Sequence, residues 1–255
     1  MPSPLALLRL LLRLAGAVAV TLPLYLALVA GKAGLRLAGR PSVRWESRIF
    51  RRWSRGLGRV FGMRREVRGT PPAGPGLLVA NHVGYMDILL LGGEVGGVFV
   101  AKREIAGWPV LGHLCRQVGV VFVDRGARRD VLRTGGEVER ALAAGRRVVL
   151  FPEGTTSAGD DLLPFRPSLL EGAAAAGRPV AWAVIRYALP EGSPPPGEVV
   201  AWTGGAPLLP HVLRLLTLPG FTGRLDFGSE PVVETDRKRL AHRLREAMGE
   251  RLGAE

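Results

Sequence analysis

The stretch GLLVANHVGYMDILLL, residues 76–91, decides the fold, because two apolar runs enclose a short polar segment. Leu77–Ala80 is a β-rich run that predicts a buried strand, and Met86–Leu91 predicts a helix. A strand followed at once by a helix is the beginning of an α/β unit. Working outward from it, we expect the same alternation along the chain.

The alternation continues from residue 97 to residue 252. Further strands are predicted at Gly97–Ala101, Val118–Val123, Arg147–Phe151, Val180–Ile185, Val199–Trp202 and Leu225–Phe227. Helices are predicted at Pro109–Gln117, Asp130–Ala144, Ser168–Ala176, Pro207–Leu216 and Asp236–Leu252. Continuous apolar strands with intervening helices favour an α/β fold with a mostly parallel or mixed sheet flanked by helices. Ligands of such sheets gather beyond the carboxyl ends of the strands.

His82 and Asp87 lie five residues apart in the polar segment, directly after the first strand. On one continuous helix they would point about 140° apart, so they can meet only if a loop precedes the helix. Gly84 makes such a turn easy. A carboxylate on one imidazole nitrogen would leave the other free to accept a proton, which predicts a general base and its orienter.

No enzyme nucleophile accompanies this pair. The sequence contains no G-x-S-x-G, and Cys115 lies in an apolar helical pattern that favours a buried, inert thiol. A base without a nucleophile indicates that a substrate hydroxyl is deprotonated directly. The reaction predicted from the residues is therefore group transfer to an alcohol or to water.

A second motif, FPEGTTS at residues 151–157, directly follows the predicted strand Arg147–Phe151. Its glycine and three hydroxyls can offer hydrogen-bond donors to phosphate or carbonyl oxygens. Both motifs fall at strand carboxyl ends, so we expect them at the same edge of the sheet.

Composition narrows the classes of function. The chain has 255 residues, one cysteine and four histidines, and no Cys/His spacing resembles a zinc site, so no metal is expected. The absence of a cysteine pair favours a reducing compartment. His113, His211 and His242 lie in helical patterns and receive no role. The formal charge is +13, and residues 1–70 hold 14 Arg and Lys against two acidic residues.

The first 70 residues combine this charge with apolar sequence. Leu14–Gly31 is uncharged for eighteen residues and is flanked by basic residues. About 20 apolar residues are needed to cross a bilayer, so a span, a partly inserted hairpin bent at Pro23 and a cleaved signal peptide all remain open.

Residues 45–61 alternate arginines with Trp, Phe and Leu at helical spacing. The pattern favours a basic amphipathic helix in a lipid headgroup layer over nucleic-acid binding, and the alternative is a surface helix docked on the domain. The positive-inside tendency puts its arginines in the cytoplasm. We expect membrane-associating helices at 1–70, an α/β domain at 71–233 and a final helix at 234–255.

The motifs also resemble those of a known family. HVGYMD matches the H-x4-D motif of the glycerolipid acyltransferases, and GVVFVDR (119–125), FPEGT (151–155) and RPVAWAVIRY (178–187) resemble its later blocks in family order. The segment with Lys102 and GWPVLG (107–112) is similar too. Four ordered blocks make a chance match improbable.

The resemblance implies an O-acyltransferase that moves an acyl group from acyl-CoA or acyl carrier protein to a lysolipid, without a cofactor. His82 would be the base and Asp87 its orienter. The residues implied to bind substrate are Arg125, Glu153, Gly154, Thr155 and Lys102. The location expected for the protein is a bacterial inner membrane with the catalytic domain on the cytoplasmic side, and the pattern of the basic segment predicts no nucleic-acid partner.

Position 156 departs from the most frequent family pattern. Threonine stands where the lysophosphatidic acid enzymes usually have the arginine of FPEGTR, and this version resembles the lyso-ornithine lipid acyltransferase branch. Arg166 offers another cation nearby. The acceptor is therefore expected to be lysophosphatidic acid or lyso-ornithine lipid, and the alternative function is a catalytically inert, basic membrane-binding protein.

Overall fold

The computed structural model describes residues 3–123, 128–203 and 205–254, with the backbone alone described for 128–134. Within these residues the chain forms one sheet with helices on both faces. The strands are β1 Met63–Arg68, β2 Gly76–Ala80, β3 Val98–Lys102, β4 Val121–Val123, β5 Arg147–Leu150, β6 Val180–Ala188 and β7 Phe221–Phe227. The α-helices are α1 Pro4–Leu37, α2 Val43–Val60, α3 Met86–Val95, α4 Leu111–Gln117, α5 Arg128–Ala143, α6 Glu171–Ala175, α7 Pro196–Val199, α8 Leu208–Thr217 and α9 Arg237–Gly253. Short 3-10 helices lie at Arg103–Gly107 and Pro167–Leu170.

The sheet is mixed, which confirms the predicted fold class. Its strand order is β1-β7-β6-β2-β5-β3-β4. Strands β2 to β6 are mutually parallel, whereas β7 runs antiparallel to β6 and pairs in parallel with β1. The carboxyl ends of β2, β5 and β3 therefore meet at one edge, and their amino ends meet at the opposite edge.

Each face of the sheet has its own core, because successive strand residues point to opposite sides. Leu78 of β2 packs with α2, α3 and α8, and Val79 packs with α6 and α9. Leu90 and Leu244 are fully buried in these two cores. Each buried leucine contributes about 1.5–3 kcal/mol, so both faces hold the sheet firmly.

Two features of the sheet differ from the sequence-based prediction. The predicted strand Val199–Trp202 is wrong, because this apolar run forms the end of α7 and a buried loop. Short apolar runs suit a strand or a buried helical turn equally well. The charged segment Met63–Arg68 was not predicted to be a strand, yet it is the edge strand β1. The sheet thus begins within the segment 1–70 that the sequence analysis set apart.

Helix α2 packs its apolar face against the protein. Ile49 and Phe50 are buried, and the indole nitrogens of Trp45 and Trp53 donate to Ala27 O (3.2 Å) and Thr21 Oγ1 (3.1 Å) of α1. The aromatic face predicted to enter a headgroup layer is therefore covered by α1 and the domain, and that prediction is wrong for this face. The alternative, a surface helix docked on the domain, is what the structure shows.

Helix α1 provides the exposed apolar surface instead. It is 34 residues long, continues through Pro23, and is long and apolar enough to cross a membrane by length and composition. Its apolar window is 6% buried, so it is not a core helix. The exposed residues include Leu5, Leu8, Leu11, Leu12, Val18, Leu22, Leu26 and Val29, which follow helical spacing along one stripe.

Candidate active site

The end of β2 and the start of α3 bring His82 and Asp87 together. Residues 81–85 form the loop that the sequence required, and Asp87 lies in the first turn of α3. His82 Nδ1 lies 2.7 Å from Asp87 Oδ2, a hydrogen bond in which the imidazole donates to the carboxylate. The pair that sequence spacing suggested is thus formed at the carboxyl edge of the sheet.

The Asp87 carboxylate is enclosed on both oxygens. Oδ2 also accepts the backbone N–H groups of Val83 (2.7 Å) and Gly84 (3.0 Å), and Oδ1 accepts the hydroxyl of Tyr187 (2.8 Å). The side chain is completely buried. Such a set of donors stabilises a buried carboxylate and fixes the direction of its bond to His82.

Three residues of the FPEGTTS loop contact His82. Phe151 stacks on the imidazole with centroids 4.0 Å apart and planes 9° apart. Glu153 Oε1 accepts the His82 backbone N–H (3.0 Å), and Ser157 N donates to His82 O (2.8 Å). His82 Nε2 has no hydrogen-bond partner within the described part of the chain, and the side chain is 16% exposed. Nε2 is therefore the imidazole nitrogen that no described group occupies.

Burial sets the protonation of the neighbouring carboxyl. Glu153 is 2% exposed, and its Oε2 has no partner among the described residues. Burial, with a smaller contribution from the charge of Asp87, raises the pKa of Glu153 to about 7. Glu153 is therefore close to half protonated at neutral pH, which limits repulsion between two buried acids.

Two residues of the site were missed by the sequence analysis. Asn81 is buried and exchanges two hydrogen bonds with the backbone of Ile185, at 2.9 and 2.7 Å, which ties the loop to β6. Tyr187 lies half-buried beside Asp87, and desolvation of its hydroxyl together with that negative charge raises its pKa well above the ordinary value. Both contacts join residues about 100 positions apart in the sequence, so a pattern within one short segment cannot predict them.

The other predicted substrate-binding residues that the structure describes lie around the same edge. Gly154 has a φ of +71°, and a Cβ there would lie 2.6 Å from Arg166 Nε, so the loop and Arg166 are in close contact. Thr155 is exposed. Lys102 is exposed at the end of β3, and Arg125 lies outside the described residues.

The Thr156 hydroxyl makes a hydrogen bond within the protein. Its Oγ1 donates to Trp202 O (2.6 Å), and Trp202 N donates to Val83 O (3.0 Å). The residue at the variable position of the motif is thereby used to fix the loop over the catalytic segment.

An apolar cavity of about 300 Å³ adjoins the catalytic loop. Tyr85 and Trp202 line it near the HVGYMD segment, and its other walls come from α1, α2, β3 and α4. Tyr85 is oriented by His211, whose Nδ1 lies 3.0 Å from the hydroxyl and whose Nε2 contacts Ala201 O. His211, which received no role from sequence, therefore supports the wall of this cavity.

The arrangement supports proton transfer beside an apolar chain. The described residues contain no group of three His, Cys, Asp or Glu side chains placed to hold a metal ion. A free imidazole nitrogen, an oriented carboxylate and an adjacent apolar cavity suit a reaction at a polar group that carries a long hydrocarbon chain.

Comparisons with known proteins find acyltransferases. A family model described as Acyltransferase matches residues 64–186. The chain is 36% identical over 221 residues to a lyso-ornithine lipid O-acyltransferase of Rhizobium meliloti (strain 1021), covering 82% of this chain and 74% of that protein. It is 35% identical to a 1-acyl-sn-glycerol-3-phosphate acyltransferase of Neisseria meningitidis serogroup B, covering 68% of each.

A solved structure has the same fold. The crystal structure of the 1-acyl-sn-glycerophosphate acyltransferase from Thermotoga maritima matches with a TM-score of 0.52 and 24% identity, covering 95% of this chain and 98% of that one. At this identity the likeness shows the fold alone.

Proposed function

Because the chain belongs to the glycerolipid acyltransferase family and is an O-acyltransferase, we propose that it acylates a lysolipid with His82 as general base. The observation that supports this most strongly is the 2.7 Å bond from His82 Nδ1 to Asp87, with Nε2 left free. The acyl donor is a thioester, acyl-CoA or acyl carrier protein.

In this mechanism His82 Nε2 takes the proton of the acceptor hydroxyl. The resulting oxygen attacks the thioester carbonyl carbon, the C–S bond breaks, and the imidazolium gives its proton to the departing thiolate, which restores neutral His82. Asp87 stabilises that imidazolium and holds the tautomer in which Nε2 is unprotonated at the start. An ester and a free thiol are the products.

The apolar cavity supports the binding of an acyl chain next to this chemistry. It is bordered by Tyr85 and Trp202 near the catalytic loop and extends between α1 and α2. Burial of methylene groups in such a cavity contributes about 0.8 kcal/mol each, which favours a long chain over a short one.

For the acceptor we favour lyso-ornithine lipid over lysophosphatidic acid. Thr156 occupies the position of the FPEGTR arginine, and its hydroxyl is bonded to Trp202 O, so position 156 offers no cation for a phosphate monoester. The proteins named lyso-ornithine lipid O-acyltransferase at 36% and 37% identity support the same choice.

We place the protein on the cytoplasmic surface of a bacterial inner membrane. The exposed stripe of α1 supports membrane contact. Arg9 and Arg13 donate to backbone carbonyls at Thr217 and Leu218, and Lys32 donates to Gln117 O, so both ends of α1 are held on one domain. This attachment favours a helix lying in the membrane surface over one that crosses it.

The test is thiol release by purified protein supplied with acyl-CoA or acyl carrier protein and each lysolipid in turn. His82→Ala is expected to abolish release while vesicle binding stays intact, and His242→Ala, a change at an exposed histidine, serves as the matched control. Full activity of His82→Ala would contradict the mechanism. Faster turnover with lysophosphatidic acid than with lyso-ornithine lipid would contradict the choice of acceptor.

A further inference from the structure

A second, larger cavity lies at the opposite edge of the sheet from His82. This basic cleft has a volume of about 1070 Å³ and is enclosed by α2, the proline-rich linker Pro71–Pro75, the end of α3 and the turn before β5. Its charged lining residues are Arg44, Arg48, Arg51, Arg52, Arg55, Arg146, Arg147, Glu46 and Glu94. It is formed at the amino ends of β2 and β5, and none of its lining residues belongs to the catalytic site.

The two carboxylates in the basic cleft already have cationic partners. Glu46 pairs with Arg146 at 2.6 Å and with Lys32 at 3.6 Å. Glu94 pairs with Arg55 at 3.1 Å and with Arg65 at 3.7 Å. These carboxylates are therefore not available to neutralise the remaining arginines of the cleft.

Four arginines of α2 have no acceptor among the residues that the structure describes. Within the described part of the chain, no hydrogen bond or ion pair reaches the guanidinium of Arg44, Arg48, Arg51 or Arg52, and all four side chains are exposed. Unbalanced positive charge in a concave surface attracts anions strongly, because the walls focus the field. The guanidinium group suits phosphate oxygens in particular, since its fork of donors binds two of them at once.

The floor of the cleft is rigid and positively charged. Arg147 is 8% exposed, and its guanidinium donates to the carbonyls of Pro72 (2.7 Å) and Gly74. Burial and the nearby charge of Arg51 lower the pKa of Arg147. The linker is thereby fixed to the start of β5, and the cleft has a defined shape instead of a loose rim.

The position of the arginines on α2, next to α1, indicates which kind of molecule carries the anion. At about 100° per residue, the four arginines named above fall within an arc of about 100° on α2. Arg55 lies on the same side of the helix but donates to Gly93 O of α3. α1 packs beside α2 and exposes its apolar stripe outward. A row of arginines beside an outward apolar stripe fits the boundary between headgroups and acyl chains. A soluble anion would gain nothing from that neighbouring stripe.

We propose that the basic cleft binds the phosphate of an anionic membrane phospholipid and so holds the protein on its membrane at a site separate from the catalytic one. The α2 arginines contact the phosphate oxygens, while the α1 stripe enters the acyl region beside them. Binding of lipid in this cleft is independent of the reaction proposed above.

The test is binding of the full-length protein to phosphatidylcholine vesicles with and without phosphatidylglycerol. In the variant Arg48→Gln/Arg51→Gln/Arg52→Gln, affinity for the anionic vesicles is expected to fall about 100-fold, from roughly fivefold per arginine. Glutamine has almost the same helix propensity as arginine, so α2 is kept. Binding to pure phosphatidylcholine vesicles, supported by the α1 stripe, is expected to change less than twofold.

The matched control removes equal charge elsewhere. Arg237→Gln/Lys238→Gln/Arg239→Gln changes three exposed positions of α9, which packs on the other face of the sheet, and is expected to lose less than threefold. Equal losses in both triple variants would show a net-charge effect and overturn the site. Cleft-dependent binding of acyl carrier protein with unchanged vesicle affinity would overturn the lipid assignment.

Discussion

At the carboxyl edge of the sheet the buried Asp87 carboxylate is surrounded by hydrogen-bond partners, whereas at the amino edge four exposed arginines of the basic cleft have none among the described residues. Asp87 accepts four hydrogen bonds while completely buried. Arg48 and Arg52 are exposed and unpaired within the described part of the chain. The Asp87 carboxylate fixes the orientation of another side chain, so it needs hydrogen-bond partners of its own. An arginine that binds an external anion must instead keep its donors free of partners within the protein.

The largest expected effect is at Asp87. Asp87→Asn keeps the shape of the side chain but loses the charge that stabilises the His82 imidazolium, and its NH₂ group cannot accept the bonds that the carboxylate accepts. We expect kcat to fall about 10³-fold. The measurement is thiol release under saturating substrates. Asp160→Asn, at an exposed position of the same region, is the control, and a loss below tenfold for Asp87→Asn would break the contrast between the two edges.

The second effect concerns stability and pH at Glu153. Its pKa is raised from 4.5 to about 7 in the folded protein, so its contribution to stability is fully present below pH 4.5 and is lost as pH rises through 7. Glu153→Gln cannot ionise, and it should gain up to about 3 kcal/mol relative to the parent protein between pH 4.5 and 8.

Thermal unfolding of the parent protein, Glu153→Gln and the exposed control Glu250→Gln across this pH range measures the difference. We expect the Tm of Glu153→Gln to exceed that of the parent protein increasingly as pH rises. A constant difference in Tm, independent of pH, would show that Glu153 is already ionised without cost and that the carboxyl edge tolerates a second charge.

A smaller effect is expected for Tyr187→Phe. This change removes the donor to Asp87 Oδ1 and leaves a buried carboxylate oxygen without a partner. We expect kcat to fall about tenfold with KM nearly unchanged, since a hydrogen bond to a charged group contributes about 1.5–3 kcal/mol. A lower Tm with unchanged kcat would show that Tyr187 supports only the fold and not the orientation of Asp87.

The smallest effect is expected at the other edge. Arg48→Gln removes a cation that contacts no described acceptor, so the free energy of unfolding should change by less than about 0.5 kcal/mol. Chemical denaturation in the absence of lipid measures it. A loss of more than about 1 kcal/mol would reveal a structural partner for Arg48 and remove the contrast with Asp87.

Local pattern was enough to predict the contact between His82 and Asp87 and most of the sheet. His82 and Asp87 belong to one strand–loop–helix unit, so their approach depends on a turn of a few residues around Gly84. Asn81 and Tyr187 were missed because their roles arise only when β2 and β6 lie side by side. Contacts between distant segments leave no periodic signal in a single sequence.

The errors at β1 and α2 also arise because the sequence does not show which segments pack together. Edge strand β1 carries charges because only one of its edges is paired, which hides the alternation that marks a strand. The amphipathic pattern of α2 correctly predicted a helix. The same pattern cannot distinguish an apolar face covered by lipid from one covered by protein. Here α1 and the core cover that face, and the arginines alone remain outside.

The position of α1 has a consequence for protein engineering. Thr21, Leu24, Tyr25 and Leu28 form part of the wall of the apolar cavity, so the helix that exposes the apolar stripe also closes the cavity beside the HVGYMD loop. A shortened chain beginning at Ser42 would expose Ile49 and Trp53 to water and open that cavity along its length. Deletion of an apolar N-terminal helix is a common way to obtain a soluble enzyme, but here it would also remove part of the wall of the apolar cavity.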